Sequence, residues 1–402
     1  MRGIFPARSH FLAIRSLRAA LVPLMLAGGL TGLEPGAAVA AACVSWSGVP
    51  PQSPGTVVNE LAGTAVRSPC DAWAVGWDNS GSGDQTLIEH WDGASWTVLT
   101  SPDPGSTLNV LSGVQATSGT DAWAVGAYSN GSGSRVLILH WNGSTWTQVK
   151  SPSPGSTAGL GAISVVSAGN AWAVGGYASI AARGTGEPAS TGNKTLILHW
   201  NGTAWKQAAS PTPGAGGALA GVAATSAGNA WAAGDFFDAD GAEHSLILHW
   251  NGTAWKRQAS PDLGTSSSLA SISATSPGGA WAADSFSNAT ANQNLLLHWN
   301  GTKWSVVPSP DIGGPGNFNH LTGVAAASAG DARAVGGYAT PGGENTLVLR
   351  WDGTRWAQVP SPTPGIADGE LLGVAAGSAS NFWAVGFFHG TATVEALALH
   401  CC

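Results

Sequence analysis

The sequence predicts an all-β chain closed into a ring of seven four-stranded blades. Three observations predict it. Tryptophan landmarks return at a near-constant step, each complete unit carries an Asn-Gly or Asp-Gly turn, and the strand missing from the last unit is found at the opposite end of the chain. The first landmark is Ala72-Trp73, repeated as Ala122-Trp123, Ala171-Trp172, Ala230-Trp231, Ala280-Trp281, Ala332-Arg333 and Phe382-Trp383 at steps of 50, 49, 59, 50, 52 and 50 residues. The second, His90-Trp91, returns at His140, His199, His249 and His298, then becomes Arg350-Trp351 and breaks off at His400-Cys401. The third is a Trp five residues after the second mark: Trp96, Trp146, Trp205, Trp255, Trp304 and Trp356. Registered repetition over some 300 residues requires a stacked or ring-forming architecture.

The second unit shows how each element is read. Leu111 to Ala116 is a short strand of small residues, and Ser118-Gly119-Thr120-Asp121 turns the chain. Ala122 to Tyr128 is an apolar strand, Asn130 to Gly133 a loop, and Val136 to Trp141 a third strand that alternates with β-branched and aromatic residues. Asn142-Gly143 is a strong hairpin signal, Trp146 to Val149 closes the unit, and Ser151-Pro152-Ser153-Pro154-Gly155 leads onward. Four strands in about 50 residues without a helical period fit a propeller blade. The last unit, from Leu371, has three strands and stops. Trp46-Ser47-Gly48-Val49 with Ser53-Pro54-Gly55 matches Trp96 through Gly105 and supplies the fourth, so the expected fold is a seven-bladed β-propeller with a split blade, 43–55 plus 371–402. Closure of this kind removes edge strands that would otherwise template aggregation.

Residues 1–40 read as a signal peptide: Arg2, Arg8, Arg15 and Arg18 precede an apolar run from Ala19 to Leu33, and Ala38-Val39-Ala40 supplies small residues for cleavage. A lipoprotein with Cys43 at its head is the alternative, although the usual Leu three positions earlier is missing. The propeller is then expected over 41–402, secreted and monomeric, without membrane insertion, since no later apolar run is long enough to span a bilayer. Removing the leader leaves 12 basic against 22 acidic side chains, a formal charge of −10 that excludes an electrostatic footprint for nucleic acid. Glycine at 57 residues with 20 tryptophans suits turns in a repeated unit, because disordered chains are poor in aromatics. Cys43 and Cys402 fall where other blades have a covalent hairpin turn, so a disulfide between them is expected to replace it. Cys401 is the competing partner, and Cys70 lies in the first-to-second strand turn of blade 1.

Gly175-Gly176-Tyr177 and Gly336-Gly337-Tyr338, each followed by a Trp after a tight hairpin, resemble kelch-type repeats. Asp92-Gly93-Ala94-Ser95-Trp96 is similar to a shortened Asp-box of the BNR and sialidase-like propellers, one residue short between Asp and Gly, so sialidase activity does not follow. Over 43–402 the pattern resembles secreted bacterial propellers with Asp-Ala-Trp-Ala-Val-Gly repeats. The resemblance implies architecture. Kelch-like propellers include oxidases, lyases, isomerases, lectins and scaffolds, so it does not choose among functions.

Chemistry is therefore sought where the repeat is broken. The repeated histidines and the Asp or Asn at 71, 121, 170, 229, 331 and 381 occupy equivalent positions around a ring, which suits packing and turn capping better than convergence on one metal. Exceptions concentrate in the second-to-third-strand loops of blades 3 and 4, with Arg183 and Glu187 in an insertion from Ala178 to Asn193, and Asp235, Asp238, Asp240, Glu243 and His244 in the next. Asp238, Asp240 and Glu243 are hard oxygen donors that suit Ca²⁺, without the full twelve-residue loop pattern of an EF-hand. His320 and His389 are non-repeated bases, and Asp284 stands where other units have Gly. No nucleophile elbow, metalloprotease His pair, P-loop or dinucleotide fingerprint is present. The expected role is a secreted binding or scaffold module for an extracellular glycan or other secreted ligand. The alternative is an extracellular lyase, hydrolase or isomerase with its site on one face of the disc.

Overall fold

A computed structural model describes residues 45–401 except 132, 183–187, 289–290, 313–317 and 366. All regular structure among these residues is β-strand, and the strands form seven blades. Blade 1 is Val58–Ser68, Asp71–Asn79, Asp84–Trp91 and Trp96–Val98, paired antiparallel in chain order, and blades 2 to 6 repeat this plan. Blade 7 consists of Ala367–Ser378, Asn381–His389 and Val394–Cys401, and its fourth strand comes from the other end of the chain. Ser47 pairs with His400 and Gly48 with Leu399. The ring is closed by the N-terminal strand, as the sequence predicts.

The recurring residues are explained by the contacts each makes. Gly93, Gly143, Gly202, Gly252, Gly301 and Gly353 have φ between 89° and 100°, a backbone region open to glycine, so the Asn-Gly and Asp-Gly hairpins need them. The preceding side chain caps the turn: Asn201 Oδ1 accepts the amides of Thr203 and Ala204, and Asp92 does the same for Ala94 and Ser95. The Ser-Pro-x-Pro linkers also have a task. Asp103, Ser153, Thr212, Asp262, Asp311, Thr363 and Ser53 each accept the amide of a third-strand residue, at 2.7–3.2 Å.

The core lies between blades. The second-strand Trp of one blade meets the fourth-strand Trp of the next edge-on, with centroids 4.9–5.5 Å apart and planes at 81–90° in six of the seven junctions. The repeated histidines lie against the same second-strand tryptophans, with ring centroids 4.1–4.4 Å apart. In five blades their Nε2 also bonds the turn Asp or Asn: Asp71, Asp121, Asn170, Asn229 and Asn381. Burial lowers the pKa of His199, His249, His298 and His400, keeping these rings neutral within the wall.

Six blades carry glycine at 76, 126, 175, 234, 336 and 386, where a Cβ would lie 1.8–2.1 Å from a first-strand carbonyl oxygen. Blade 5 has Asp284 there. Its first strand is accordingly split into Ser266–Ser267 and Ser271–Ser276, because the added side chain takes the space the strand would fill.

The insertion of blade 3 is not the loop expected from its polar sequence. Asn170–Ala182 and Pro188–Trp200 extend the second and third strands as a hairpin, with Ser179 opposite Thr191 and Ala182 opposite Pro188. Once two neighbouring strands are in register, each further pair adds backbone hydrogen bonds at small entropic cost, and local propensity does not report this. Arg183 and Glu187 lie outside the described residues. Of the described cysteines, Cys401, the competing partner considered from sequence, is buried at the end of its strand and disulfide-bonded, and Cys70 is an exposed free thiol. The expected bond between Cys43 and Cys402 involves two residues that lie outside the described ones.

Blade 1 replaces the third-strand leucine of its counterparts with Glu89, which is fully buried. Its Oε2 accepts the Gln52 amide at 2.9 Å, and burial pushes its pKa up to about 7. The folded chain thus holds a proton that the unfolded chain releases near pH 4.5, so this stabilisation is present below about 4.5 and is lost as pH rises to 7. The loss is about 3 kcal/mol for a shift of this size. Glu89→Gln keeps the acceptor and removes the titration. Its urea midpoint is expected above that of the unsubstituted protein at pH 8 and level with it at pH 5. Parallel pH profiles for the two proteins would refute the assignment.

Candidate functional site

The first strands line a central channel enclosing about 580 Å³, walled by Gly, Ala, Ser, Thr, Val and their like, with Gln115 as its longest polar side chain. Such a wall offers no titratable group. The chemistry lies at the mouth, on the side of the second-to-third-strand hairpins, where each first strand, or in blade 5 the gap between its two halves, contributes the residue before a buried leucine. In blades 1 to 7 these residues are Glu60, Val110, Gly159, Ala218, Ser268, His320 and Glu370. The mouth is therefore lopsided: blades 2 and 3 present small or apolar groups, and blades 4 to 7 and 1 carry a crescent of carboxylates around one imidazole.

His320 is the centre of the crescent. Its Nε2 lies 2.6 Å from Glu370 Oε1, and its Nδ1 faces Glu344 Oε1 at 3.6 Å. Glu344, on the third strand of blade 6, is held in place by its own amide, which donates to Asp368 Oδ1 at 2.8 Å. Asp368 is the single described non-glycine residue with positive φ, 41°. On one side the crescent continues to Glu60, whose carboxylate is hydrogen-bonded by Trp77 and feels the charge of Glu370. On the other it passes to Asp284, then to Glu243 and Asp235 of blade 4, with Ser266 Oγ donating to Glu243 Oε2 at 2.5 Å.

Crowded, partly desolvated carboxylates resist ionisation. Burial, then the charges of Glu243 and Asp284, raises Asp235 to about 7. Burial raises Glu60 to about 7 against the Trp77 bond, and Asp284 to about 6 against the hydroxyl of Ser268. Glu344 reaches about 7 through burial and the Glu370 charge. Burial alone would lower His320, but the Glu370 hydrogen bond and the charges of Glu370, Glu344 and Asp284 outweigh it and raise its pKa. Near neutral pH the crescent therefore presents both carboxylate acceptors and carboxylic-acid donors.

Of the sequence candidates, the structure brings Asp235, Glu243, His320 and Asp284 to this mouth. His244 forms a separate, outward cluster with Asp238 and Asp262, at 3.1 and 3.3 Å, and stacks on Phe236. Asp238 Oδ1 accepts the amides of Asp240 and Ala242, so its oxygens serve its own loop. Asp238, Asp240 and Glu243 do not gather as the calcium set considered from sequence. Among the described residues the group of three His, Cys, Asp or Glu donors within 4.8 Å of one another is His320, Glu344 and Glu370. His389 is exposed at the end of its strand, beside Phe387. Glu60, Glu344 and Glu370 escape a search for irregular loops because they lie in regular strands. The identity of the residue before each blade's buried first-strand leucine finds Glu60 and Glu370, whereas Glu344, on a third strand, carries no comparable signal.

No family model matches the chain, and no curated protein matches it. Among solved structures, the chain is similar to YCF48 bound to D1 peptide, with a TM-score of 0.52 at 16% identity over 89% of this chain and 96% of that one. It also aligns with the GH74 xyloglucanase from Xanthomonas campestris (TM-score 0.49, 14% identity, 88% of this chain and 55% of that one). A protein of unknown function from Dyadobacter fermentans aligns with a TM-score of 0.48 at 12% identity, over 89% of this chain and 97% of that one. The first likeness supports the propeller architecture and does not extend to function.

Proposed function

We propose that the chain is an exported binding propeller that takes a glycan at the lopsided channel mouth. The observation that carries this reading is the crescent of carboxylates poised near neutrality, Glu60, Asp235, Asp284 and Glu344, facing the small residues of blades 2 and 3. Sugar hydroxyls both donate and accept, and a mixed carboxylate and carboxylic-acid rim meets both demands. Trp77 and Phe387, opposite Glu60 and Glu370 in the strand register, are half-buried aromatic faces of the kind on which a sugar ring packs. Export is supported by the leader-like first 40 residues and by the disulfide on Cys401, a bond favoured in oxidising compartments.

A second reading, an extracellular glycan-cleaving enzyme, rests on a different feature of the same mouth. Glu344, held up to about 7, and Glu370 stand on either side of His320, so a carboxyl group able to donate a proton near neutrality and a second carboxyl group share one centre. A polysaccharide and small-glycan array, read with and without calcium and followed by product analysis, separates the two. Retention without new reducing or unsaturated ends is expected, and their appearance would transfer the site to catalysis. Glu60→Gln with Asp284→Asn is expected to weaken retention about 10- to 100-fold, the worth of one or two charge-assisted hydrogen bonds. Asp238→Ala with Asp240→Ala is expected to leave it unchanged. Retention that survives the first pair, or depends on the second, would overturn the axial assignment.

A further inference from the structure

We infer that the mouth holds a divalent transition-metal cation of zinc type between His320 Nδ1 and Glu344 Oε1, with Glu370 as the carboxylate that orients the imidazole. Both of these donor atoms are sealed from solvent without a hydrogen-bond partner, and they face each other at 3.6 Å. Two inward-facing buried polar atoms beyond hydrogen-bond reach are each costly to leave unmatched, by about 1–3 kcal/mol. Metal–ligand bonds of about 2.0–2.1 Å to an imidazole nitrogen and a carboxylate oxygen span 3.6 Å at an angle of roughly 120°, within the range of a distorted tetrahedral centre.

The surroundings orient these two ligands, and water would fill the remaining positions of a tetrahedral shell. Glu370 Oε1, 2.6 Å from Nε2, accepts the proton on that nitrogen and leaves the Nδ1 lone pair directed at Glu344, the carboxylate–histidine arrangement that supports metal-bound imidazoles. Asp368 fixes Glu344 through its backbone amide. The charge of Asp284 also acts on the ring, so a dication enters a field already negative. An imidazole ligand favours zinc-type ions, whereas Ca²⁺ selects an all-oxygen shell of six to eight donors.

The inference stands apart from the glycan reading, because it is tested with the metal alone. The full chain, stripped with a chelator, is titrated with Zn²⁺ by calorimetry and with Co²⁺ by visible absorption, with Ca²⁺ in parallel. One Zn²⁺ per chain is expected, with Ca²⁺ at least 100-fold weaker. Glu370→Ala is expected to weaken Zn²⁺ about 10- to 100-fold through loss of ring orientation. Glu344→Gln, nearly isosteric, should weaken it at least as much and alter the Co²⁺ bands. His320→Ala should remove the site, while His244→Ala, in the outer cluster, leaves it intact. Should His320→Ala fail to fold, Glu344→Gln decides. Absence of a stoichiometric site in the unsubstituted chain, or wild-type affinity and unchanged Co²⁺ bands in Glu344→Gln, would overturn the proposal.

Discussion

A chain lacking residues 43–55 is expected to lose cooperative unfolding and to aggregate. The deleted segment carries Trp46, which is 6% exposed and packed with Val335, Val348, Phe382, Leu397, Leu399 and Cys401. It also carries the strand that pairs with His400 and Leu399, the Val49 amide bonded to the Ala398 carbonyl, and the Ser53 hydroxyl that accepts the Ala396 amide. Without it the third strand of blade 7 becomes an open edge, and the junction between blades 6 and 7 loses its aromatic member. Trp46→Ala isolates the packing part and should cost about 3–5 kcal/mol, as for other buried aromatic truncations. Light scattering on heating and the sharpness of a chemical denaturation curve measure the two effects. A soluble deletion variant with an unchanged midpoint would show that the ring does not depend on its split blade.

The second large effect is expected at Arg333, which stands where five other blades and the split one have a buried tryptophan. Arg333 is fully buried, its Nη1 is 2.5 Å from Asp331 Oδ1, and its guanidinium lies 4.4 Å from the Phe382 ring centroid. Arg350 approaches the same carboxylate at 3.5 Å, in the place of the repeated histidine. Blade 6 has thus exchanged the Trp, His and Asp or Asn set for two arginines on one aspartate. Arg333→Ala leaves Asp331 buried with one distant partner beside a cavity, and a loss of about 3–5 kcal/mol is expected. Arg333→Met combined with Asp331→Asn should cost much less, because both charges leave together. Denaturant midpoints of the two variants give the comparison, and equal losses would assign the effect to volume rather than to charge.

Most of the fold was legible because it is written many times. Each landmark fills one post in a blade: Trp73 and its equivalents bridge to the next blade, Gly93 and its equivalents turn the outer hairpin, and the Ser-Pro-x-Pro linkers return an acceptor to the third strand. The split blade was legible for the same reason, since a missing Trp strand at one terminus and an unmatched one at the other have a single mutual solution. The blade 3 hairpin was not, because pairing beyond the repeat has no repeat to announce it.

The sequence by itself determined the ring, its closure and the face on which exceptions accumulate, since local turn chemistry and periodic burial act over a few residues and leave their mark in order along the chain. It also marked His320 and Asp284 as exceptions. Only the tertiary structure decided what surrounds them. His320 and Glu370 are 50 residues apart and 2.6 Å apart in space, because adjacent blades set their first strands side by side around the axis. Burial and mutual charge then change the acidity of groups that look like ordinary surface carboxylates in the chain, and neither quantity exists until the ring has closed.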